Sequence, residues 1–161
     1  MKQQDPLTTA QNICTEGIDL TAQGLPEEAL LRYNSVTEQF GLRRKSEFIL
    51  VLATAMYNKG VVLGTLERHE EAVAAYDVLI QKFADTQESV RSLFTARAMR
   101  NKAYRLNLLG RGSEFIATYE AMVTRFDDNT DQETSELIAP VKAFLAERQA
   151  VLDAREQTAR A

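Results

Sequence analysis

The fold of this 161-residue chain is decided by residues 55–76, which read AMYNKGVVLGTLERHEEAVAAY. The same pattern returns 43 residues earlier and 43 residues later, without any insertion. Residues 12–33 read NICTEGIDLTAQGLPEEALLRY, and residues 98–119 read AMRNKAYRLNLLGRGSEFIATY. A fixed period of this size indicates stacked supersecondary units, because one unit alone cannot bury its apolar face. The chain is therefore predicted to be a repeat protein.

Each period contains two helical patterns. In the central period, apolar residues are spaced by three and four positions, first over residues 48–66 and then over 72–83. Turn signals separate such patterns, because Gly110 suits the end of a helix and Pro26 suits the first turn of one. We therefore predict seven helices. The expected ranges are 7–23, 26–40, 44–66, 69–84, 87–110, 112–126 and 132–157.

The repeated stretch resembles the tetratricopeptide repeat (TPR). In the central unit the resemblance is carried by residues 55–60, Leu63, residues 70–72 and Tyr76. It implies an all-α, right-handed solenoid of three TPR-like helix pairs followed by a C-terminal capping helix. Residues 1–161 are then a single TPR-like domain. Its parts are repeat 1 at about 7–41, repeat 2 at about 44–84, repeat 3 at about 87–127 and the capping helix at about 132–157.

Two features depart from the TPR pattern. The family repeat has about 34 residues, whereas the period here is 43, and the additional residues precede each first helix. We expect them to lengthen those helices by about 13 Å at roughly 1.5 Å per residue. In the third unit, Ala103 and Phe115 replace the small residues Gly60 and Ala72. We therefore expect wider packing in that unit.

Composition restricts the class of partner and the compartment. The formal net charge is -4 and the pI is near 5.1, which argues against a nucleic-acid partner. A single cysteine, Cys14, excludes an intrachain disulfide and fits a reducing compartment. The start lacks the apolar run of a signal peptide, and the longest apolar stretch, residues 48–56, is too short to cross a bilayer. We expect a cytoplasmic protein without a membrane partner.

No pattern in the sequence predicts catalysis. His69 has no second histidine, cysteine or convergent carboxylate at metal-ligand spacing. Cys14 has no histidine or asparagine placed to activate it, so an inert, partly buried thiol is predicted. We expect no cofactor, no metal and no enzymatic activity.

The TPR resemblance also implies a binding site. TPR proteins bind extended peptides along the concave surface formed by the first helix of each repeat. By alignment, this groove includes Tyr57 in the second unit and Arg97, Arg100, Tyr104 and Asn107 in the third. The third-unit residues are spaced by three, four and three, so they share one helix face.

Guanidinium groups in a groove suit carboxylates or phosphates. We therefore predict a non-catalytic scaffold that binds a protein or peptide partner of acidic character. An alternative is that the arginines only form a solvated face, or pair with Glu136 and Glu147 of the capping helix.

Two other functions remain open from the sequence. Apolar residues of the lengthened first helices could form a homodimer surface, which predicts a homo-oligomerisation module. The residues concerned are Phe48, Ile49, Val51 and Phe94. A regulatory domain that senses a small anionic ligand or peptide is the second alternative.

Overall fold

The computed structural model describes residues 5–43, 45–84 and 89–160. These residues form seven α-helices and one short 3-10 turn, with no β-strand among them. The helices are α1 (Pro6–Ala22), α2 (Pro26–Phe40), α3 (Ile49–Thr65), α4 (His69–Lys82), α5 (Ser89–Leu108), α6 (Gly112–Phe126) and α7 (Gln132–Arg160). The all-α class and the number of helices predicted from the sequence are confirmed.

The helix α3 is shorter than the sequence predicted. A 3-10 turn, Ser46–Phe48, precedes it, and the α-helix begins at Ile49 rather than near residue 44. α3 therefore has 17 residues, the same length as α1, because the additional residues of this period are divided between a loop, a turn and the helix. α5 is longer, with 20 residues. Its predicted start at residue 87 lies outside the described residues.

A residue with positive φ follows each of the first three odd-numbered helices. The residues are Gly24 (φ 75°), Glu67 (φ 59°) and Gly110 (φ 72°), again 43 positions apart. Glycine is common after a helix because it adopts the left-handed conformation without steric cost. Glu67 adopts the same conformation despite its Cβ, so the second turn has the same geometry but a less suitable residue.

The helices form two layers. Each helix packs against the next along the chain, and the odd-numbered helices also pack against one another, α1 on α3, α3 on α5 and α5 on α7. No comparable contact joins α2, α4 and α6 to one another within the described residues. The odd-numbered helices therefore form one continuous layer. This arrangement is consistent with an α-solenoid in which each unit leans on its neighbours.

The core of the first two helix pairs depends on tyrosine rings placed against glycines. Leu63 and Tyr76 are buried, as the sequence predicted. The Tyr76 ring lies so close to Gly60 that a Cβ on this glycine would overlap it. Tyr33 packs against Gly17 in the same way, and a Cβ there would lie 2.7 Å from Cε1 of the ring. The glycines thus allow close approach of the two helices in each pair.

The third helix pair is built differently. Ala103 of α5 is buried where the first two pairs have glycine, and Tyr119 of α6 is only half-buried. The Tyr119 ring packs on Phe115, with centroids 4.7 Å apart, and on Phe144 of α7, at 5.8 Å. Aromatic contacts therefore replace the close tyrosine–glycine approach in this pair.

Polar contacts between successive helix pairs recur with the same period. They are Arg68 Nη1 with Glu27 (3.2 Å), Arg111 Nη1 with Glu70 (2.7 Å), Lys82 Nζ with the Gly41 carbonyl (2.6 Å) and Arg125 Nη2 with the Ala84 carbonyl (2.8 Å). The two carbonyl acceptors lie just after α2 and α4, where helix carbonyls lack intrahelical donors. The equal spacing shows that the 43-residue period is a structural period as well as a sequence pattern.

The apolar residues that were predicted to form a dimer surface lie in the core. Phe48 is buried and stacks on Phe40 of α2, with ring centroids 5.9 Å apart, and Val51 is buried beside it. Ile49 and Phe94 pack against the same core cluster. Neighbouring helices of the same chain therefore bury Phe48 and Val51 and partly cover Ile49 and Phe94, so little of this set remains for a second copy. Homodimerisation itself stays a prediction.

One helical segment of the described residues, Ser46–Thr65, is long and apolar enough to cross a membrane by length and composition alone. It has 20 residues with a mean hydropathy of 1.4, and 56% of it is buried inside the protein. The segment is longer than the apolar stretch that the sequence had suggested. Core helices meet the same criterion, so this is weak evidence for a membrane span. The cytoplasmic location stays a prediction.

Candidate peptide-binding face

The outward side of the odd-numbered helices carries the predicted binding residues. We call it the odd-helix face and define it by Ile18 of α1, Tyr57 and Val61 of α3, and Arg97, Arg100, Tyr104 and Asn107 of α5. Arg100 and Asn107 are exposed, and the Tyr104 side chain is 53% exposed although it is aromatic. The structure therefore leaves the predicted α5 residues accessible on one side of the helix.

Positive charge is concentrated in α3 and α5, the two middle helices of the odd-numbered layer. α5 contains five cations and no acidic residue, and the only charged residue of α3 is Lys59. α2 and α4 each carry three acidic residues and one cation. Since the whole chain has a formal net charge of -4, this segregation gives the middle of the odd-helix face a sign opposite to that of the protein. Such a field attracts acidic partners.

Arg97 has one weak acidic neighbour. Its Nη2 atom lies 3.7 Å from Oε2 of Glu133, in the first turn of α7, and both side chains are partly exposed. The sequence suggested pairing with Glu136 and Glu147, and the acidic residue that approaches Arg97 is a different one. An exposed pair at this distance contributes little to stability, so Arg97 can exchange Glu133 for a ligand carboxylate at small cost.

Arg100 forms no ion pair with any residue that the structure describes. It lies near the Tyr119 hydroxyl, where burial raises the pKa of Tyr119 and the positive charge of Arg100 partly opposes that shift. An exposed guanidinium that lacks a carboxylate partner retains all five of its donors for water or for a ligand.

Tyr57 connects two helices as well as contributing to the face. Its hydroxyl accepts a hydrogen bond from the side-chain amide of Asn101 (3.1 Å), and the same amide donates to the Tyr76 hydroxyl (3.3 Å). The Tyr57 ring also meets Phe94 edge to face at 5.9 Å. Burial raises the pKa of Tyr76 to about 12, which the Asn101 hydrogen bond partly opposes. Tyr57 is therefore half-buried and held in place by α5.

Arg105, which was not among the residues predicted from the sequence, lies beside them on α5. Its guanidinium packs directly on Gly64 of α3, where a Cβ would collide with it, and sits 5.1 Å from the Tyr104 ring centroid. Nε of Arg105 is buried and has no hydrogen-bond partner among the described residues, nor does the side chain meet a carboxylate there. A glycine inside a helix, at the position facing this cation, was the sequence signal that could have identified it.

Apolar side chains continue the face toward the N-terminal unit. Equivalent positions 43 residues apart are occupied by Ile18, Val61 and Tyr104. Ile18 is exposed and Val61 is half-buried.

Cys14 is buried and does not contribute to the face. Its Sγ lies 4.0 Å from the Val51 carbonyl oxygen. Burial raises the pKa of its thiol to about 11, which disfavours the reactive thiolate. The inert thiol stays a prediction.

The structure shows no other candidate centre of this strength. No group of three or more histidine, cysteine, aspartate or glutamate side chains that could hold a metal ion occurs among the described residues. Comparison with known proteins gives no assignment, since no protein-family model, no curated protein and no solved structure matches the chain.

Proposed function

We propose that this protein is a non-catalytic, TPR-like scaffold that binds an acidic peptide segment along the odd-helix face. The observation that carries the proposal is the pair of cations on α5, Arg100 and Arg105, which lack a carboxylate partner among the described residues beside the exposed Tyr104. The continuous layer of odd-numbered helices supports it, because such a layer offers equivalent positions to successive residues of an extended chain.

Arg105 gives a physical reason why an acidic ligand would bind with favourable free energy. A buried polar atom without a hydrogen-bond partner costs about 1–3 kcal/mol, and more when the group is charged. Nε itself is buried against α3, but the Arg105 side chain is only half-buried, so a carboxylate can approach the accessible part of the guanidinium. It would form a charge-assisted hydrogen bond there, which is about twice as strong as a neutral one. The Gly64 backbone leaves no side chain between α3 and the guanidinium. In the free protein the Arg105 guanidinium thus has no carboxylate partner among the described residues, and an acidic ligand would supply one.

The distribution of side chains gives the ligand a direction. Cations occupy the α5 portion of the face, whereas Ile18 and Val61 make its α1 and α3 portion apolar. We infer a ligand with acidic residues over α5 and apolar residues over α3 and α1. Tyr104 joins the two portions, because its ring can pack on apolar side chains while its hydroxyl donates to a carboxylate.

Fluorescence anisotropy with defined peptides tests the proposal. The probes are labelled peptides of about ten residues in which leucine alternates with glutamate or, as the comparison, with lysine. We expect the glutamate peptide to bind at least about tenfold more tightly, with an affinity that falls as salt screens the exposed charges. Equal binding of the lysine peptide would contradict an acidic ligand.

Charge reversal locates the site. The double variant R97E/R100E should reduce binding of the glutamate peptide by roughly tenfold or more, because it places two repelling charges on the face. The matched control is K45E/R160E, which changes the net charge equally at two exposed positions away from α5. If both variants weaken binding alike, net charge rather than the face is responsible. A different outcome would be that the wild type binds a single-stranded oligonucleotide but no peptide, and that R97E/R100E loses this binding. The ligand would then be a nucleic acid and the peptide proposal would be wrong.

A small anionic ligand is the second candidate function, and the unpartnered Nε of Arg105 favours it. Arg105→Met keeps a long, unbranched side chain next to Gly64 and replaces the guanidinium that now packs on this glycine, so it removes the charge. If a small dicarboxylate such as succinate raises the Tm of the wild type and not of Arg105→Met, while the glutamate peptide does not bind, the ligand is a small anion. Peptide binding without any effect of succinate supports the scaffold.

A further inference from the structure

Beyond its buried residues, α7 carries an apolar stripe that the rest of the chain covers only in part. α7 has 29 residues, but its buried residues, Thr134, Ile138 and Val141, all lie in the first half. Beyond them Phe144 is 39% exposed and Val151 is 47% exposed. These two residues belong to a shallow groove of about 490 Å³, and the described residues that line it are Phe144, Glu147, Arg148, Val151, Leu152 and Arg155.

The charges on this stripe are unpaired along the helix. Side chains three or four positions apart are neighbours on a helix, yet none of Glu147, Arg148 and Arg155 has an opposite charge at such a spacing. None of the three forms an ion pair with another described residue, whereas Lys142 and Arg160 of the same helix do. Elsewhere on α7 such pairs do form, for example Arg160 with Glu156 at 3.4 Å.

The arrangement of these charges is self-complementary. Glu147 and Arg155 lie four residues before and four residues after Val151, and all three line the same groove. When two identical helices pack antiparallel with Val151 at the centre, residues equally far from the centre on opposite sides meet. Glu147 of each copy then lies beside Arg155 of the other, at both ends of a contact whose middle is apolar.

We propose that this stripe is a self-association surface, in which the C-terminal half of α7 packs antiparallel against the same segment of a second copy. Such a contact is isologous, so a single two-fold axis closes it and no further copies are added. A second copy fits better than an unrelated partner because the stripe supplies both members of each ion pair. It also covers Phe144 and Val151, which are left exposed in the single chain.

The dimer should be weak. The paired segment from Phe144 to Thr158 is about 21 Å long at 1.5 Å per residue, which is short for two helices that must bury the 1,200–2,000 Å² typical of stable interfaces. We therefore expect a dissociation constant on the order of 10–100 µM. α5 takes no part in this contact, so the self-association and the peptide-binding proposal stand or fall separately.

Sedimentation equilibrium with a charge-swap set tests the geometry. The single variants E147R and R155E should each weaken the dimer roughly tenfold or more, because each places like charges opposite one another twice. The double variant E147R/R155E exchanges the signs and should recover the wild-type dissociation constant within about threefold. Only an antiparallel contact centred near Val151 predicts this recovery.

Two controls separate the interface from general effects. D153R changes the net charge as E147R does but lies on the opposite side of α7 from Val151, so it should leave the dimer unchanged within about twofold. V151E should abolish the dimer while circular dichroism and Tm stay as in the wild type, since the residue is exposed. A wild type that is strictly monomeric at about 500 µM, or a double swap no better than the single variants, would overturn the proposal.

Discussion

Tyr76 and Tyr119 occupy equivalent positions in the second and third helix pairs, yet their surroundings differ. Tyr76 is fully buried, lies against Gly60 and accepts a hydrogen bond from Asn101 of the next odd-numbered helix. Tyr119 is half-buried, and the residue that corresponds to Asn101 in the next helix is Phe144, which packs on the ring at 5.8 Å. The same residue type thus serves a polar junction in one place and an aromatic junction in the other.

The repeat therefore keeps its 43-residue spacing while the type of contact between its helices changes from a hydrogen bond to an aromatic contact. A deeply buried hydroxyl needs a hydrogen-bond partner, so Tyr76 requires Asn101. Tyr119 retains access to solvent and can pack on Phe144 without a polar partner. The irregular junction also adjoins Arg100 on the candidate binding face. We therefore expect the regular junction to carry more of the stability and the irregular one to tolerate change.

The largest expected difference concerns core truncation. Leu63→Ala should lower the free energy of unfolding by about 2–5 kcal/mol, because Leu63 is buried at the regular junction. Phe144→Ala should cost less, even though phenylalanine is larger, since its side chain is 39% exposed. Urea unfolding of both variants, at concentrations below the proposed dimerisation range, measures this. Equal losses would show that the two junctions contribute alike.

Alkaline unfolding distinguishes the two tyrosines. In the unfolded chain Tyr76 ionises near pH 10, whereas the folded protein holds its proton to about pH 12. Its contribution is complete below pH 10 and is lost as the pH rises toward 12, by up to roughly 3 kcal/mol at 1.36 kcal/mol per pKa unit. Tyr76→Phe should therefore flatten the fall of stability above pH 10. If Tyr119→Phe flattens it more, the burial contrast is wrong.

Substitution of Gly60 and of Ala103, which occupy equivalent positions in the second and third pairs, should lower stability for different physical reasons. Gly60→Ala forces a Cβ into the Tyr76 ring and should cost about 1–3 kcal/mol, the usual cost of overpacking. Ala103→Gly removes a methyl group from α5 and should cost about 1 kcal/mol through lower helix propensity. Thermal unfolding by circular dichroism compares the two. A Gly60→Ala protein as stable as the wild type would mean that Tyr76 can move aside.

The smallest effect is expected at the turns. Glu67→Gly should raise stability by up to about 1 kcal/mol, because glycine removes the strain of positive φ at this exposed position. Gly110→Ala, at the equivalent turn of the third pair, should lower stability by a similar amount. Chemical denaturation with the same probe for both variants checks the sign. Destabilisation by Glu67→Gly would indicate that its side chain contributes more than the strain costs.

The helical order was predictable because the spacing of apolar residues and the turn glycines are local properties of the sequence. Residues 26–40 and 112–126 were predicted with the bounds that α2 and α6 have. The start of α3 was not predicted correctly. A 3-10 turn precedes this helix, and its position depends on the tertiary contact between Phe48 and Phe40 of α2. The burial of Phe48 and Val51 was not predicted for the same reason, since periodicity cannot tell which apolar residues a distant part of the chain will cover.

At the candidate site, the spacing of three and four residues was enough to predict that one side of a helix carries Arg97, Arg100, Tyr104 and Asn107. Only the tertiary structure decided their partners. Glu133 approaches Arg97, while the packing of α3 on α5 brings the Arg105 guanidinium onto Gly64 and leaves its Nε without an acceptor among the described residues. The physical reason is that spacing along a helix fixes directions, whereas distances, burial and unmet hydrogen bonds arise where separate helices meet.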